Sequence, residues 1–264
     1  MMSDTILLNI DTHGVARLTI NRPEIHNAFD DSLIAELTTT LQQIDQNPAV
    51  RVVILQSSGK SFSAGADLNW MRRMAGYSDE ENKADSLKLA GLMQTLNRLS
   101  KPTIARVHGA AFGGGVGLVA CCDIAIAGEH ALFCLSEVRL GLIPAVISPY
   151  VVAAIGQRAT RRYFLTAERF NAAQALHLNL VHNVVEESAL DSTIAAICDE
   201  LIKGGPSAIG AAKELIFAVD SLPVDPALID DTAQRITNAR ASVEGKEGVT
   251  AFLEKRSANW IKES

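Results

Sequence analysis

The amino-acid sequence predicts an α/β core followed by a helical C-terminal region, and two observations lead to this prediction. Up to about residue 147, short β-branched runs alternate with segments whose apolar residues recur at helical spacing, a pattern typical of parallel βαβ units. Beyond that point nearly every segment has a helical period. The chain of 264 residues is long enough to bury one large core.

The N-terminal part of the chain is predicted to contain three strands and one helix. The runs ILLNI and VARLTI are predicted strands separated by the turn-like DTHG, and NRP ends the second strand because proline cannot donate to a strand ladder. Asp30 or Asp31 can cap a helix over LIAELTTTLQQI, and Asn47-Pro48 ends that helix. VRVVILQS is then predicted to be a buried strand.

The middle of the chain repeats this alternation around two glycine-rich turns. SGKSFSAGADL leads into helical residues, and the polar stretch GYSDEENKAD is predicted to be mobile. A helix over SLKLAGLMQTLNRL, a strand over PTIARVHG, a helix that AFGGGVG opens and a strand over DIAIAG follow. The later segments are helical in period, except for LVHNVVE, which is predicted to be a strand.

The composition argues against several classes of function. The net charge is −6 without a basic stripe, which disfavours a nucleic-acid partner, and no apolar run approaches the roughly 20 residues that a membrane span needs. The four cysteines form no C-x-x-C pair, so we interpret them as small buried hydrophobes in a reducing compartment. MMSDTILLNI lacks a basic segment and a cleavage site, and we expect a cytoplasmic location.

Two glycine-rich elements are the strongest chemical signal in the sequence. Residues 63–68 (SAGADL) lie between a predicted strand and helix, and residues 113–117 (GGGVG) lie at a predicted helix start. Glycine lets the backbone approach a ligand, and helix N-termini present free N–H groups. Two such elements can aim two N–H donors at one oxygen, which is the arrangement of an oxyanion hole.

A dinucleotide-binding interpretation competes for the second element. Gly115-x-Gly117-x-x-Ala120 matches the G-x-G-x-x-G/A fingerprint, and Glu137 lies about 20 residues further on, where a ribose-binding acid would be expected. However, Glu137 lies within SEVRLGL and does not end a clear second strand. This position disfavours a nicotinamide cofactor. His26, His108 and His182 show no metal-ligand spacing, so we expect them to be structural and expect no metal.

Five segments together resemble the enoyl-CoA hydratase/isomerase (crotonase) superfamily. They are NRPEIHNAFD, SFSAGADL, HGAAFGGGVGLVACCD, LSEVRLGLIP and FLEKRSANW, and they occur in the order typical of that family. The resemblance implies a ββα spiral core over residues 1–200 and a helical C-terminal trimerisation region over residues 201–264. It also implies a homotrimer or homohexamer. The implied ligand is an acyl-CoA, and because coenzyme A belongs to the substrate, no separate cofactor is expected.

The resemblance also implies roles for individual residues. The backbone N–H groups of Ala66 and Gly114 would hold the thioester oxygen, and Glu137 would move protons. Ala28 and Ala64 would contact the CoA moiety through their backbone. The segment that lines the acyl-CoA site would contain Asp67, Leu68 and Asn69. The tail of a neighbouring subunit would bring Phe252 and Lys255 near the nucleotide.

Gly117 departs from the family pattern. Many family hydratases carry two glutamates; Glu137 matches the second, whereas Gly117 stands where the first would be. A missing carboxylate removes like-charge repulsion and is expected to open volume. We therefore hypothesise that Gly117 lines a pocket for an acyl chain with its own distal carboxylate. Arg22, Arg72 and Arg139 are possible anchors, although structural ion pairs are the more usual role for such arginines.

The family resemblance leaves the reaction open. It implies addition of water to a 2,3-unsaturated acyl-CoA, and the sequence is most similar to methylglutaconyl-CoA hydratases of leucine and isoprenoid breakdown. A single carboxylate can also move a proton between the α and γ carbons, so an isomerase is an alternative, as is a non-catalytic binding member. Residues 144–149 (PAVISP) replace the P-G-x-G-G of many family hydratases, so placement of the water can differ.

Overall fold

The computed structural model describes residues 5–261, so residues 1–4, part of the segment from which we predict no secretory signal, lie outside the described residues. The strands are β1 (Ile6–Ile10), β2 (Val15–Ile20), β3 (Val52–Ser57), β4 (Thr103–Val107), β5 (Ala110–Phe112), β6 (Ile124–Gly128), β7 (Leu132–Cys134), β8 (Phe170–Asn171) and β9 (Asn183–Val185). The α-helices are α1 (Asp31–Gln46), α2 (Leu68–Met74), α3 (Asp79–Asn97), α4 (Gly114–Cys121), α5 (Ser148–Thr166), α6 (Ala172–His177), α7 (Leu190–Lys203), α8 (Pro206–Val219), α9 (Pro226–Ala241) and α10 (Val243–Glu254).

The strands form two sheets. The larger one has the order β1-β2-β3-β4-β6-β9, and its pairs are parallel except for β1 with β2. The smaller one has the order β5-β7-β8. Since β4 continues through β5 into α4, and β6 continues through β7 toward α5, the chain winds in successive ββα turns. The sequence predicted every strand of the larger sheet, whereas β5, β7 and β8 have only two or three residues and show no periodicity of their own.

Both faces of the larger sheet are covered, because successive side chains of a strand point to opposite faces. On β3, Val53 and Leu55 belong to the main apolar cluster. Val52 and Ile54 point the other way and cluster with the buried face of α7. The four cysteines are free and buried, as predicted. Within the described part of the chain, no helix has the length and apolarity needed to cross a membrane.

Helix caps agree with one prediction and correct another. Asp30 caps α1 by accepting a hydrogen bond from the Leu33 N–H (2.8 Å), as expected. The polar stretch GYSDEENKAD, predicted to be mobile, is helical from Asp79 onward. The Ser78 hydroxyl accepts from the Glu81 N–H (3.2 Å), and the Glu81 carboxylate accepts from the Ser78 N–H (2.8 Å). This reciprocal capping box starts α3 at Asp79.

The C-terminal helices are tied to the core by polar contacts. Lys213 on α8 is 8% exposed, and its Nζ lies 2.8 Å from Asp123 Oδ2. The same carboxylate accepts from the N–H and the hydroxyl of Thr103 at 2.7 and 2.9 Å. The predicted boundary after residue 200 lies inside α7, and Gly204 follows that helix directly. The division into two functional regions stays a prediction.

Candidate active site

All segments of the candidate site leave the carboxyl ends of parallel strands. Residues 22–29 follow β2, residues 58–67 follow β3, α4 follows β4 through β5, and Glu137 follows β6 through β7. Because parallel strands end at the same edge of a sheet, this connectivity brings the segments together there, where α/β proteins generally bind ligands.

The two glycine-rich elements lie side by side. Ser63 pairs with Ala111 in a parallel bridge, in which the Ser63 N–H donates to the Ala110 oxygen (2.9 Å) and the Phe112 N–H donates to the Ser63 oxygen (2.8 Å). β5 then runs directly into α4. The structure therefore brings together the two loops that the sequence singled out.

Ala66 has a free backbone N–H. The Phe29 N–H donates to the Gly65 oxygen and the Asp67 N–H donates to the Phe29 oxygen, both at 2.7 Å. These bonds use the groups on either side of Ala66, so its own N–H points away from Phe29. Within residues 5–261 this N–H has no hydrogen-bond partner, and Ala66 is exposed. It can donate to a ligand.

Gly114, the second predicted donor, is the first residue of α4. Its N-cap, Gly113, has φ +51° and ψ −118°, a conformation that favours glycine. The Gly113 N–H donates to the Cys134 oxygen (2.8 Å), which fixes the helix start on the smaller sheet. The Gly114 N–H has no partner among the described residues, as expected for the first turn of a helix, where anions are also favoured.

Glu137 places a carboxyl group beside this helix start. A Cβ added at Gly113 would lie 3.1 Å from Glu137 Oε1. Glu137 Oε2 is buried and has no hydrogen-bond partner in the described part of the chain. Burial raises the pKa of this carboxyl, because it disfavours the charged form. A half-buried acid with a raised pKa next to unpaired N–H groups is suited to proton transfer.

The segment after Ala66 has a clear structural role. The Asp67 carboxylate caps α2 by accepting from the N–H groups of Asn69 (2.8 Å) and Trp70 (3.0 Å). The Asn69 side-chain oxygen accepts from Arg72 (2.6 Å). Leu68 is 67% exposed and offers an apolar surface next to Ala66. The predicted substrate contacts of these residues stay predictions.

Ala28 and Ala64 lie on two loops that Asn27 joins. The Asn27 side-chain amide donates to the carbonyl oxygens of Ser58 (2.8 Å) and Ser61 (2.7 Å). The Ala64 N–H donates to the His26 oxygen (2.9 Å). Asn27 is fully buried with φ +55°. Sequence reasoning missed it, although asparagine tolerates this left-handed conformation better than most residues.

Gly117 does not leave open volume, so that expectation is wrong. Gly117 lies one turn after Gly113, to which its N–H donates (3.3 Å). A Cβ on Gly117 would overlap Ile147 Cγ2 and lie 3.3 Å from Met93 Cε. Ile147, from the segment that departs from the family pattern, is 3% exposed and fills this space.

Of the remaining predicted side chains, Arg22 lies on the first loop of the site and the others lie on other segments. Arg22 forms an ion pair with Asp30 (2.8 Å), a structural role as expected. His182 Nδ1 lies 3.0 Å from the Ala125 N–H. Phe252 on α10 is 82% exposed, and Lys255 ends that helix. Their predicted role requires a neighbouring subunit and stays a prediction.

Comparison with known proteins gives consistent matches. The family model "Enoyl-CoA hydratase/isomerase" matches residues 11–263. A crystal structure of an enoyl-CoA hydratase from Shewanella pealeana superposes with a TM-score of 0.94 at 47% identity, covering 97% of this chain and 96% of that one. The predicted fold class is therefore confirmed.

Two curated relatives are named for particular acyl groups. The chain is 33% identical over 249 residues to a crotonyl-CoA hydratase of Syntrophomonas wolfei, covering 94% of each protein. It is 34% identical over 257 residues to a mevalonyl-coenzyme A hydratase of Aspergillus fumigatus, covering 96% of this chain and 94% of the relative. The chain is thus about equally identical to two relatives that are named for different acyl groups.

Proposed function

Because the chain belongs to the enoyl-CoA hydratase/isomerase (crotonase) superfamily, we propose that it is a hydratase that adds water across the double bond of a 2,3-unsaturated acyl-CoA. One observation carries this proposal: the backbone N–H groups of Ala66 and Gly114, on neighbouring loops, have no partner among the described residues, and the Glu137 carboxyl lies beside the helix start that holds Gly114. The relatives named as hydratases support the same reaction class.

The two N–H groups would bind the thioester carbonyl oxygen. When water adds at C3, negative charge moves onto this oxygen, and preorganised donors stabilise that charge more than they stabilise the ground state. The first turn of α4 adds its partial positive charge at the same place.

Glu137 would handle both proton transfers. Its carboxylate accepts a proton from water while the water oxygen bonds to C3, and the resulting carboxylic acid returns that proton to C2 of the enolate. The carboxylate is regenerated, and the product gains one water. Burial raises the pKa of Glu137 toward the working pH, which favours a group that must both accept and return a proton.

The acyl group is a finer question. The methylglutaconyl chain rests on the resemblance of the sequence motifs alone, because neither curated relative is named for it and Ile147 occupies the space that the distal carboxylate was expected to use. Isomerisation is a second candidate function, favoured by the absence of a carboxylate at position 117, since one acid suffices to move a proton along the chain.

We also propose a homotrimer or homohexamer built through the C-terminal helices. α9 and α10 expose large apolar side chains, which is unusual for a surface that stays in water. They are Ile229, Ile236, Val243, Val249, Phe252 and Leu253. In such an assembly Phe252 and Lys255 would approach the nucleotide of a neighbour's ligand. The unpaired, buried cysteines support a cytoplasmic location.

The test is mass-resolved turnover of crotonyl-CoA, 3-enoyl-CoA and methylglutaconyl-CoA by the wild type and by Glu137→Gln. A gain of one water that disappears in the variant supports the hydratase. A product of unchanged mass supports the isomerase instead. Absence of turnover with the whole panel would contradict both activities and favour a binding protein.

A further inference from the structure

We propose that Phe29 is the positioning residue of the oxyanion hole: its backbone holds the Ala66 donor and its ring sets the position of the Gly114 donor. This inference rests on the proposed function, in which those two N–H groups bind the thioester oxygen. Phe29 has no polar side-chain atom, so it would act only through the two backbone groups.

The Phe29 backbone orients the Ala66 N–H. Phe29 is the bridge partner of Ala66. Its N–H donates to the Gly65 oxygen and its C=O accepts from the Asp67 N–H, at 2.7 Å each. Two short bonds, one on each side of Ala66, fix both peptide planes next to it. The direction of the free Ala66 N–H therefore depends on where the Phe29 backbone lies.

The Phe29 ring contacts the Gly114 backbone. A Cβ on Gly114 would lie 2.7 Å from Phe29 Cε2 and 3.0 Å from Cδ2. The ring thus packs directly against the backbone of Gly114, with no space for a methyl group between them. Phe29 is 1% exposed, so close-packed neighbours hold the ring in place. One side chain therefore contacts the second donor while its own backbone orients the first.

Phe29 is itself held from both sides. Asn27, two residues earlier, is bonded to the Ser58 and Ser61 carbonyl oxygens. Asp30, the next residue, caps α1 and pairs with Arg22. These contacts anchor residues 27–30 to two other parts of the fold. A change in the Phe29 side chain should consequently shift the Gly114 side of the hole without releasing the loop.

The test compares Phe29→Leu with Phe170→Leu. Phe170→Leu is the matched control, because Phe170 is also a buried phenylalanine and stacks on Phe133 in the smaller sheet. We expect both variants to lower Tm by a few degrees. Only Phe29→Leu should lower kcat for crotonyl-CoA, by about 10- to 100-fold, with little change in KM, since small misplacements of catalytic donors have effects of this size.

A spectroscopic readout separates positioning from general damage. The infrared C=O band of bound butyryl-CoA, which cannot be hydrated, should shift to lower wavenumber in the wild type and in Phe170→Leu. The shift should be smaller in Phe29→Leu. If Phe29→Leu does not fold, Phe29→Met, which preserves more volume, takes its place.

A double variant tests the ring contact directly. Gly114→Ala should lower kcat about 100-fold or more, because its methyl group overlaps the ring. Adding Phe29→Leu should recover at least about tenfold in kcat by making space.

A wild-type kcat and C=O band in Phe29→Leu would overturn the proposal, as would a double variant no better than Gly114→Ala. Absence of enoyl-CoA turnover by the wild type would overturn the proposed function alone, since the butyryl-CoA band still reports on Phe29. Absence of the band shift in the wild type would overturn both the hole and its positioning residue.

Discussion

Glu137 beside α4 and Glu247 on α10 are the same amino acid in opposite surroundings. Glu247 accepts two hydrogen bonds from the Arg256 guanidinium (2.7 and 2.9 Å) and one from the Asn259 N–H (3.0 Å). These bonds lower the pKa of Glu247 to about 2. Glu137 has a buried oxygen without a partner in the described part of the chain, and burial raises its pKa.

The difference separates a carboxylate that holds structure from one that can react. At Glu247 every nearby donor favours the charged form, so the group stays ionised and fastens the end of the chain to α10. At Glu137 burial, which disfavours the charged form, outweighs the hydrogen bond from the residue's own backbone that favours it. The N–H groups of Ala66 and Gly114 also have no partner among the described residues. A bound ligand could supply the partners that these groups lack.

The largest expected effect is the loss of kcat when the Glu137 carboxyl is replaced by an amide, compared with the same replacement at Glu247. Glu137→Gln should lower kcat for crotonyl-CoA about 10³-fold, because an amide can neither accept nor return the proton. Binding of butyryl-CoA should persist. Glu247→Gln, the same substitution in the other region, should keep kcat near the wild-type value. Steady-state kinetics and calorimetric titration measure both, and equal losses of kcat would break the comparison.

A second prediction concerns the packing of Ile147 against α4. Gly117→Ala should reduce the free energy of unfolding by about 1–3 kcal/mol, because its methyl group overlaps Ile147. Gly91→Ala is the matched control on α3, where an added Cβ meets nothing within 4 Å. It should stabilise the protein by about 0.5–1 kcal/mol through helix propensity. Urea unfolding followed by circular dichroism distinguishes them, and a stabilising Gly117→Ala would contradict the packing.

A third prediction concerns how stability depends on pH at Glu137. Its pKa in the folded protein is raised, so ionisation costs stability as the pH rises through that pKa. Glu137→Gln removes this cost. The variant should have a Tm higher than the wild type by about a few degrees at pH 7, and the gain should vanish near pH 4. A lower Tm at pH 7 would show that the charged form is stabilised.

The smallest effect is expected at Glu247, with the opposite sign. Its folded-state pKa is depressed, so its contribution is present above the unfolded value of about 4.3 and is lost as the pH falls toward about 2. Glu247→Gln should therefore lower Tm slightly at pH 7 and leave it unchanged near pH 2. Thermal unfolding at both pH values measures this, and a constant difference would assign the effect to lost packing.

The sequence predicted those parts of the site that depend on local chemistry. The glycines of residues 63–66 and 113–117 are visible in the sequence because strand-to-helix turns need them. The role of Phe29 depends on pairing with residue 66 and packing against residue 114, and no local pattern records either contact. The overlap of Ile147 with position 117 is equally long-range. By contrast, Ser78-x-x-Glu81 is a capping signature that the polar composition of its surroundings obscured.

The ion pair of Lys213 and Asp123 constrains the order in which the chain can finish folding during synthesis. Asp123 leaves the ribosome 90 residues before its cation does. Until α8 has been made and has docked, Asp123 can accept hydrogen bonds only from Thr103 and from water. The C-terminal end of α4 therefore gains this ionic contact late in synthesis.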